Sequence, residues 1–389
     1  MLDFVYENAT KIVFGLGCET QVGALVREYA DKVLLVYGGG SAKRSGLLDR
    51  IKASLAAAGV SAAELGGVQP NPHLALVYKG IELCRRENIA FILAVGGGSC
   101  IDTAKAISLG VPYEGDVWDF FSGRPYEGSL PVGVVLTIPA AGSESSCDAV
   151  ITKEEGMLKR ACCWSQKLRP VFALMNPELT LGLPDWQTFC GVTDIMTHIM
   201  ERYFTNTRHV DVTDRMCEGL LQSAIYAGKR LKENPADLDA RSEIMWCGTL
   251  AHNNIAGVDR EGDWATHNIS HEVSALYDST HGAALAVIFP AWMRYTLDHD
   301  PSIFAQFANR VFGVPYDRND LRAMGLEGIR QLKAFYRRIG MPTTFGELGI
   351  EAPDLELIAE KCTHGDTAPV GRFVPLGAKQ VVELLKLAL

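Results

Sequence analysis

A run of apolar residues that ends in a glycine triplet constrains this chain more than any other feature. Residues 91–95 are near-continuously apolar, which is typical of a parallel strand covered on both faces. Gly96-Gly97-Gly98-Ser99 follows, and residues 100–109 have helical periodicity. A second such unit has a strand at 33–37, a turn at Gly38-Gly39-Gly40-Ser41 and a helix at 47–58. This order predicts a doubly wound α/β fold with a parallel sheet.

The second half of the chain has a different pattern. A third strand is predicted at 132–138, but from Asp185 onward helical periodicity dominates and strand-like runs nearly vanish. Leu183-Pro184-Asp185 is a suitable boundary, because the proline ends one element and the aspartate can cap the next helix. We therefore predict an α/β domain over residues 1–184 and an all-α domain over 185–389.

Composition excludes several classes of partner. The 389 residues are 48% hydrophobic, which indicates a globular protein with room for two cores. The net charge is −9 without a basic block, which argues against nucleic acid and membrane surfaces as main partners. We expect a cytoplasmic protein, since there is no basic leader or long apolar segment and the ten cysteines lack a CxxC pair.

The turn Gly96-Gly97-Gly98-Ser99 is suited to binding a phosphate. Glycine lets the backbone approach an anion, and a following helix N-terminus offers N–H groups and a positive dipole end. If this turn is considered by itself, the alternative is a tight strand-to-helix turn that binds no ligand. The surrounding string differs from GxGxxG, so we expect a different arrangement of strands around a dinucleotide.

The earlier turn favours NADP over NAD. NAD-binding domains hold the ribose 2′-hydroxyl with an acidic residue at such a strand end. Here the strand end carries Gly38, Gly39 and Gly40, then Ser41 and Lys43, with no acid. A 2′-phosphate fits that set. The alternative is a solvated loop in which Lys43 and the adjacent Arg44 simply face water.

Histidines and one aspartate suggest a metal site in the second half. Asp194 and His198 are four residues apart, as are His267 and His271, so each pair shares one helix face. Together with His281 they form a carboxylate-imidazole set that suits a divalent ion. Considered by themselves, Asp194 and His198 could instead be an ordinary i,i+4 side-chain pair on one helix that binds no metal. A HExxH protease site is excluded, because residue 275 is alanine.

Several long motifs in one order carry a resemblance to a known family. The chain resembles the iron-containing alcohol dehydrogenases over nearly its whole length, and within them the NADPH-dependent butanol dehydrogenase and aldehyde reductase subgroup. The motifs are Tyr37-Gly38-Gly39-Gly40-Ser41, Gln69-Pro70-Asn71-Pro72, the string 96–105, the string 137–145, Asp194xxxHis198, the stretch 263–272, and His281-Gly282.

The resemblance implies a fold and a set of site residues. The fold is a Rossmann-like α/β N-terminal domain that binds the dinucleotide and a helical C-terminal domain that binds metal and substrate, as in dehydroquinate synthase-like proteins. His271 matches the family's non-ligand histidine near the substrate and is a candidate proton relay. The implied ligands of one Fe²⁺ or Zn²⁺ are Asp194, His198, His267 and His281. The implied cofactor-binding residues are Gly38, Gly39, Gly40, Ser41, Lys43, Asn71, Gly96, Gly97, Gly98, Ser99, Asp102, Thr137, Ser143 and Lys159.

The implied activity is a metal-dependent, NADP(H)-linked interconversion of short- to medium-chain primary alcohols and aldehydes, by a homodimer. Hydride would pass between nicotinamide C4 and the carbon whose oxygen the metal polarises. The alternatives are a polyol dehydrogenase of the same family, a non-redox enzyme resembling dehydroquinate synthase, and a non-catalytic binding protein. The C-terminal half lacks a strongly basic substrate pocket, which disfavours the enzyme resembling dehydroquinate synthase. The four ligands plus His271 argue against a binding protein, because a binding module has no need of all five.

Overall fold

The computed structural model describes residues 1–126, 128–162 and 165–389. Its contacts divide the chain into two compact units. One unit is Glu7–Leu183, and the other joins Met1–Tyr6 to Pro184–Leu389. The sequence-based division at residue 184/185 placed residues 1–6 with the α/β domain. They lie instead in the helical unit, where the Leu2 N–H donates a 2.9 Å hydrogen bond to the Asp259 carbonyl.

The α/β unit contains a parallel sheet, as predicted. The strands are β1 (Lys11–Phe14), β2 (Lys32–Gly38), β3 (Ser61–Val68), β4 (Ile92–Gly96), β5 (Val132–Leu136), β6 (Val150–Lys153), β7 (Leu158–Ala161) and β8 (Phe172–Met175). Six of those described form one sheet in the order β1-β8-β5-β4-β2-β3, with parallel pairing throughout. The strands β6 and β7 form a separate antiparallel pair.

The apolar pattern accounts for the central strands but not for the edge. Every residue of β4 and β5 is buried, as expected for strands covered on both faces. The edge strand β3 is rich in alanine and glycine and mostly accessible, so its sequence carried little strand signal. The helices of this unit are α1 (Val22–Arg27), α2 (Ser41–Arg44), α3 (Leu47–Ala57), α4 (Leu74–Glu87), α5 (Gly98–Gly110) and α6 (Trp118–Phe121).

The two glycine turns lie side by side in the sheet. The chain passes from β2 to β3 on one side and then returns to β4 on the other side of β2. The register pairs Tyr37 with Val95, so both turns follow the same edge of the sheet. Open α/β sheets bind ligands at such a reversal of strand order, beyond the carboxyl ends of the strands. The topology therefore brings both predicted phosphate turns to one ligand-binding edge.

The second unit is helical, as predicted, and no strand occurs among residues 184–389. Its core includes the fully buried side chains of Trp292, Tyr203, Phe204 and Phe304. Helix α7 is buried at every residue from Thr188 to its end. The helices are α7 (Asp185–Tyr203), α8 (Asp211–Glu233), α9 (Leu238–His252), α10 (Ala265–Tyr277), α11 (His281–Thr296), α12 (Pro301–Phe312), α13 (Leu321–Ile339), α14 (Leu355–Cys362) and α15 (Ala378–Lys386).

The nine described cysteines are buried, while Cys163 lies outside the described residues. Burial raises the pKa of several of them to about 12, among them Cys84 and Cys217. Within the described ranges no helix combines the length and apolar character that crossing a membrane requires.

Candidate functional site

Three helices of the helical unit bring potential metal ligands together. Asp194 lies on α7, His267 in the first turn of α10, and His281 at the first residue of α11. The Asp194 Oδ1 atom is 3.7 Å from His267 Nε2 and 3.9 Å from His281 Nε2. One ligand atom from each residue lies within 4.8 Å of the others. Ligands around a tetrahedral ion with bonds near 2.1 Å are about 3.4 Å apart, so the spacing is close to that of a metal site.

His198 adjoins this group without joining it. Its ring centroid is 4.3 Å from that of His267, and its Nδ1 atom is 3.0 Å from Asp194 Oδ1. Its ring also packs against His252, with centroids 4.2 Å apart. The structure thus gathers three of the four predicted ligands and places the fourth next to them.

Each imidazole has its Nδ1 atom close to a protein oxygen. His198 Nδ1 is 2.9 Å from the Asp194 carbonyl oxygen, so it must donate. His267 Nδ1 is 3.1 Å from Glu201 Oε1. His281 Nδ1 is 3.2 Å from Ser270 Oγ, whose own proton goes to the His267 carbonyl. These contacts favour the Nδ1–H tautomer, which leaves the lone pair on Nε2, as metal ligation requires.

The polar atoms at the centre of the group fit a cation. Asp194 Oδ1 and His267 Nε2 are buried and form no hydrogen bond with the described residues. Burial opposes ionisation of Asp194, but the nearby His198, His267 and His281 hold its pKa well below the ordinary value. Orphaned buried acceptors are costly in the absence of a partner, and a divalent cation would satisfy both. The donor set therefore fits the metal that the sequence implies.

Gly282 allows α11 to reach α7. A Cβ atom at this position would lie 2.1 Å from the Cys190 carbonyl oxygen, on the backbone of α7. Only glycine permits that approach. Because His281 precedes Gly282, this close packing brings the imidazole up to Asp194.

Two carboxylates that the sequence analysis missed cap the N-terminus of α10. Glu201, on α7, accepts the Trp264 N–H at 2.7 Å and the His267 N–H at 3.1 Å. Asp263 accepts the Ala265 N–H at 3.2 Å. Asp263 begins the stretch 263–272 and Glu201 lies just after the Asp194xxxHis198 motif. Their positions in the sequence do not show that both carboxylates face the N-terminus of α10. The capping fixes the turn that carries His267.

His271 lies one turn beyond His267 on α10, as predicted. Its ring is 5.4 Å from that of His281, between centroids, and it is partly exposed. It is not part of the group of converging ligand atoms. This position suits a residue beside the metal site rather than in it.

The predicted cofactor residues form three local contacts in the α/β unit. The Thr137 N–H donates to the Gly96 carbonyl at 3.0 Å. The Ser143 hydroxyl donates to Asp102 Oδ1 at 2.6 Å. Lys159 Nζ donates to Asn71 Oδ1 at 2.9 Å. Helix α5 begins at Gly98 with Gly97 as its N-cap, and no side chain caps this described end.

Lys105 stabilises the segment around Ser143, and the sequence analysis did not single it out. This lysine of α5 is fully buried. Its ammonium group donates to Ser143 Oγ at 2.9 Å, to the Ser146 carbonyl at 3.0 Å and to the Asp148 carbonyl at 2.7 Å. Burial raises the pKa of Asp102, and the positive charge of Lys105 opposes that rise. The lysine thus links α5, which also carries Asp102, to the segment that contains Ser143, Ser146 and Asp148.

The first glycine turn has an acid nearby that the sequence analysis did not find. Glu64 of β3 accepts a 2.9 Å hydrogen bond from the Tyr37 hydroxyl and pairs with Lys52 at 2.5 Å. The hydrogen bond from Lys52 is the main cause of its lowered pKa. Both oxygens of Glu64 therefore already have partners, and Lys43 is exposed in α2 beyond the turn.

Family models match both units of the chain. The model for iron-containing alcohol dehydrogenase matches residues 9–177, and the model for the C-terminal domain of the Fe-containing alcohol dehydrogenase family matches residues 188–389. The chain belongs to the iron-containing alcohol dehydrogenase family. The match bears out the resemblance, the oxidoreductase class, and the requirement of this family for a nicotinamide cofactor and a metal.

Similar proteins are alcohol and aldehyde oxidoreductases. The probable NADH-dependent butanol dehydrogenase 2 of Bacillus subtilis is 41% identical, with 100% of each chain covered. The NADPH-dependent aldehyde reductase YqhD of Escherichia coli is 33% identical over 94% of this chain and 95% of that protein. The crystal structure of NADH-dependent butanol dehydrogenase A from Thermotoga maritima superposes with a TM-score of 0.95, at 38% identity, covering 100% of this chain and 99% of the other.

Proposed function

We propose that this member of the iron-containing alcohol dehydrogenase family is a metal-dependent, NADP(H)-linked enzyme that interconverts short- to medium-chain primary alcohols and aldehydes. The convergence of Asp194 Oδ1 with the Nε2 atoms of His267 and His281 is the observation that carries the proposal. Asp194, His198, His267 and His281 are the proposed ligands of one Fe²⁺ or Zn²⁺. When bound, such an ion supplies a Lewis acid that polarises a carbonyl oxygen.

His271 is the proposed catalytic residue. Aldehyde reduction requires a proton for the new hydroxyl group, and an unperturbed imidazole titrates near neutral pH. Its partly exposed position beside His281 supports transfer of that proton between substrate and solvent. Its neighbours His267 and His281 remain assigned to the metal.

The preference for NADP rests on the turn after β2. Gly39 and Gly40 leave room for a phosphate, and Ser41 and Lys43 offer a hydroxyl and a cation. Glu64, the nearby acid, already pairs with Tyr37 and Lys52 and so is poorly placed to accept a ribose hydroxyl. Among the similar proteins the butanol dehydrogenases are named for NADH and the aldehyde reductase for NADPH. Because of Ser41, Lys43 and the paired Glu64, we propose the NADPH preference for which the aldehyde reductase is named.

The test combines elemental analysis with steady-state kinetics. The purified protein should hold about one Fe²⁺ or Zn²⁺ per chain, and should oxidise NADPH in the presence of butanal with a higher kcat/KM than NADH. Chelation should abolish turnover, and the same metal should restore it. A comparison of butanal with a hydroxyaldehyde of similar length tests the polyol alternative. Equal or better efficiency with NADH would refute the cofactor assignment, and full activity without metal would refute the ligand assignment.

A further inference from the structure

Glu201 makes an unusual set of contacts around a single proposed ligand. This carboxylate on α7 is fully buried. Its Oε1 atom accepts from His267 Nδ1 and from the His267 main-chain N–H, both at 3.1 Å, and from Thr266 Oγ1 at 2.5 Å. Its Oε2 atom accepts from the Trp264 N–H at 2.7 Å. One side chain thus binds the backbone before His267 and the ring of His267 itself.

The donors around Glu201 stabilise its charge without cancelling it. Two main-chain amides, a hydroxyl and the imidazole N–H each favour the carboxylate by hydrogen bonding, but a buried anion remains costly unless a cation lies nearby. On the far side of the His267 ring, Nε2 is buried, forms no hydrogen bond with the described residues, and faces Asp194 Oδ1 at 3.7 Å. A cation bound there would attract both carboxylates, one directly and one through the imidazole.

We propose that Glu201 is a positioning residue for the metal centre. It holds His267 as the Nδ1–H tautomer, aims Nε2 toward Asp194, and strengthens this imidazole as a ligand. The inference rests on the proposed function, because it requires that His267 bind the metal. Carboxylates that accept the second ring N–H of a metal-bound histidine act in this way, and their loss typically weakens metal binding by about 10- to 100-fold.

A purely structural role for Glu201 gives a different expectation. Three of its four hydrogen bonds cap α10, through the main-chain N–H groups of Trp264 and His267 and through the Thr266 hydroxyl. If capping were its whole role, substitution would lower the melting temperature of the metal-free protein and leave metal affinity nearly unchanged. Metal affinity measured apart from stability therefore separates the two roles.

The experiment compares Glu201→Gln with Thr266→Val. The glutamine keeps an acceptor and the size of the side chain but removes the charge. The valine deletes a hydrogen bond to the same oxygen and leaves the contact with the His267 ring. The Kd for Zn²⁺ is measured on metal-free protein by competition with a chromogenic chelator, alongside the melting temperature of the metal-free forms. We expect the Kd of Glu201→Gln to rise by about 10- to 100-fold, and that of Thr266→Val by less than about 3-fold.

Three outcomes decide the inference. A Glu201→Gln protein that binds Zn²⁺ as tightly as the Thr266→Val protein overturns the positioning role and leaves the metal site intact. A wild-type protein that binds no Zn²⁺, and does not differ from His267→Ala, instead overturns the proposed function. If Glu201→Gln does not fold, Glu201→Asp replaces it. The shorter acid keeps the charge but retracts from His267 Nδ1, so we again expect weaker binding, and wild-type affinity would refute the proposal.

Discussion

The Asp102 carboxylate accepts a 2.6 Å hydrogen bond from the Ser143 hydroxyl, and the buried ammonium group of Lys105 donates to that same hydroxyl oxygen at 2.9 Å. The second oxygen of Asp102 accepts the Val150 N–H at 3.0 Å. A cation on α5 therefore links this helix, which carries Asp102, to the 143–150 segment, which carries Ser143, and both are proposed cofactor-binding residues. Its removal should act on both stability and dinucleotide binding.

We expect Lys105→Met to lower the free energy of unfolding by about 3 kcal/mol, because it leaves buried acceptors and the Asp102 charge uncompensated. The Kd for NADPH should rise as the 143–150 segment relaxes. Denaturant unfolding and fluorescence titration measure the two effects. Lys79→Met, at an exposed position of α4, is the matched control. A loss within about 0.5 kcal/mol, as for ordinary surface substitutions, would show that the buried hydrogen bonds of Lys105 contribute little.

Gly39→Asp should shift cofactor preference from NADPH toward NADH. An ideal Cβ atom at Gly39 would meet no described atom within 4 Å, so the structure has room for the side chain. A carboxylate about 4 Å from the 2′-phosphate would be repelled by about 1–4 kcal/mol, depending on the effective dielectric. The ratio of kcat/KM for the two cofactors should change by at least about 10-fold. Gly39→Ala, which adds only a methyl group, should keep the wild-type ratio, and an equal shift in both variants would exclude an electrostatic cause.

His267→Ala should remove the metal and the activity together. The variant loses one of the converging ligands, so bound metal should fall well below one ion per chain and kcat should collapse. NADPH should still bind, because the proposed dinucleotide residues belong to the other unit. Elemental analysis, kinetics and fluorescence titration test these points, with the exposed His209→Ala as control. Retention of stoichiometric metal in His267→Ala would contradict the assignment.

His271→Ala should lower kcat by about 10²-fold or less, since water can partly replace a proton relay. Metal content and melting temperature should stay close to those of the wild type, because His271 is outside the group of converging ligand atoms. Added imidazole should restore part of the activity of His271→Ala but not affect the wild type. A residue that only packs against substrate would raise KM and show no rescue, and that result would rule out the relay.

The buried thiols should make the fold less stable in alkali. The pKa of Cys84 is about 12, raised mainly by burial, whereas an unfolded thiol ionises near pH 9. Between these values the folded chain keeps a proton that the unfolded chain loses, so the free energy of unfolding falls as pH rises. Each such thiol contributes about 1.4 kcal/mol per pH unit. Denaturant unfolding from pH 8 to 10.5 should give a shallower slope for Cys84→Ala than for the wild type, whereas parallel curves would contradict the assignment.

The elements with strong local signals were predictable from the sequence. The strands before both glycine turns each contain an unbroken buried apolar run, which is the pattern that identified them. Asp194 and His267 lie in motifs long enough to be recognised. The metal identity, the preference for NADP and the role of His271 remain predictions.

What the sequence could not disclose depends on tertiary contacts. Glu201 lies three residues after His198 in a helix that is buried from Thr188 to its end, and nothing in that spacing shows that its carboxylate caps α10. Glu64 reaches Tyr37 only because β3 pairs with β2, and β3 has too weak a pattern to predict. Ser270 resembles any other small residue of a buried helix until His281 is seen beside it. In each case the partner comes from another element.

The attachment of Met1–Tyr6 to the helical unit has a consequence for folding during synthesis. The α/β unit is a continuous insertion between two parts of the helical unit, and its own strands pair within residues 7–183. It can therefore complete its sheet on the ribosome, whereas the Leu2 N–H must wait for Asp259 to emerge. Closing such a sequence separation is slow relative to local contacts. The segment Met1–Tyr6 therefore reaches its place in the helical unit only after the whole α/β unit has been synthesised.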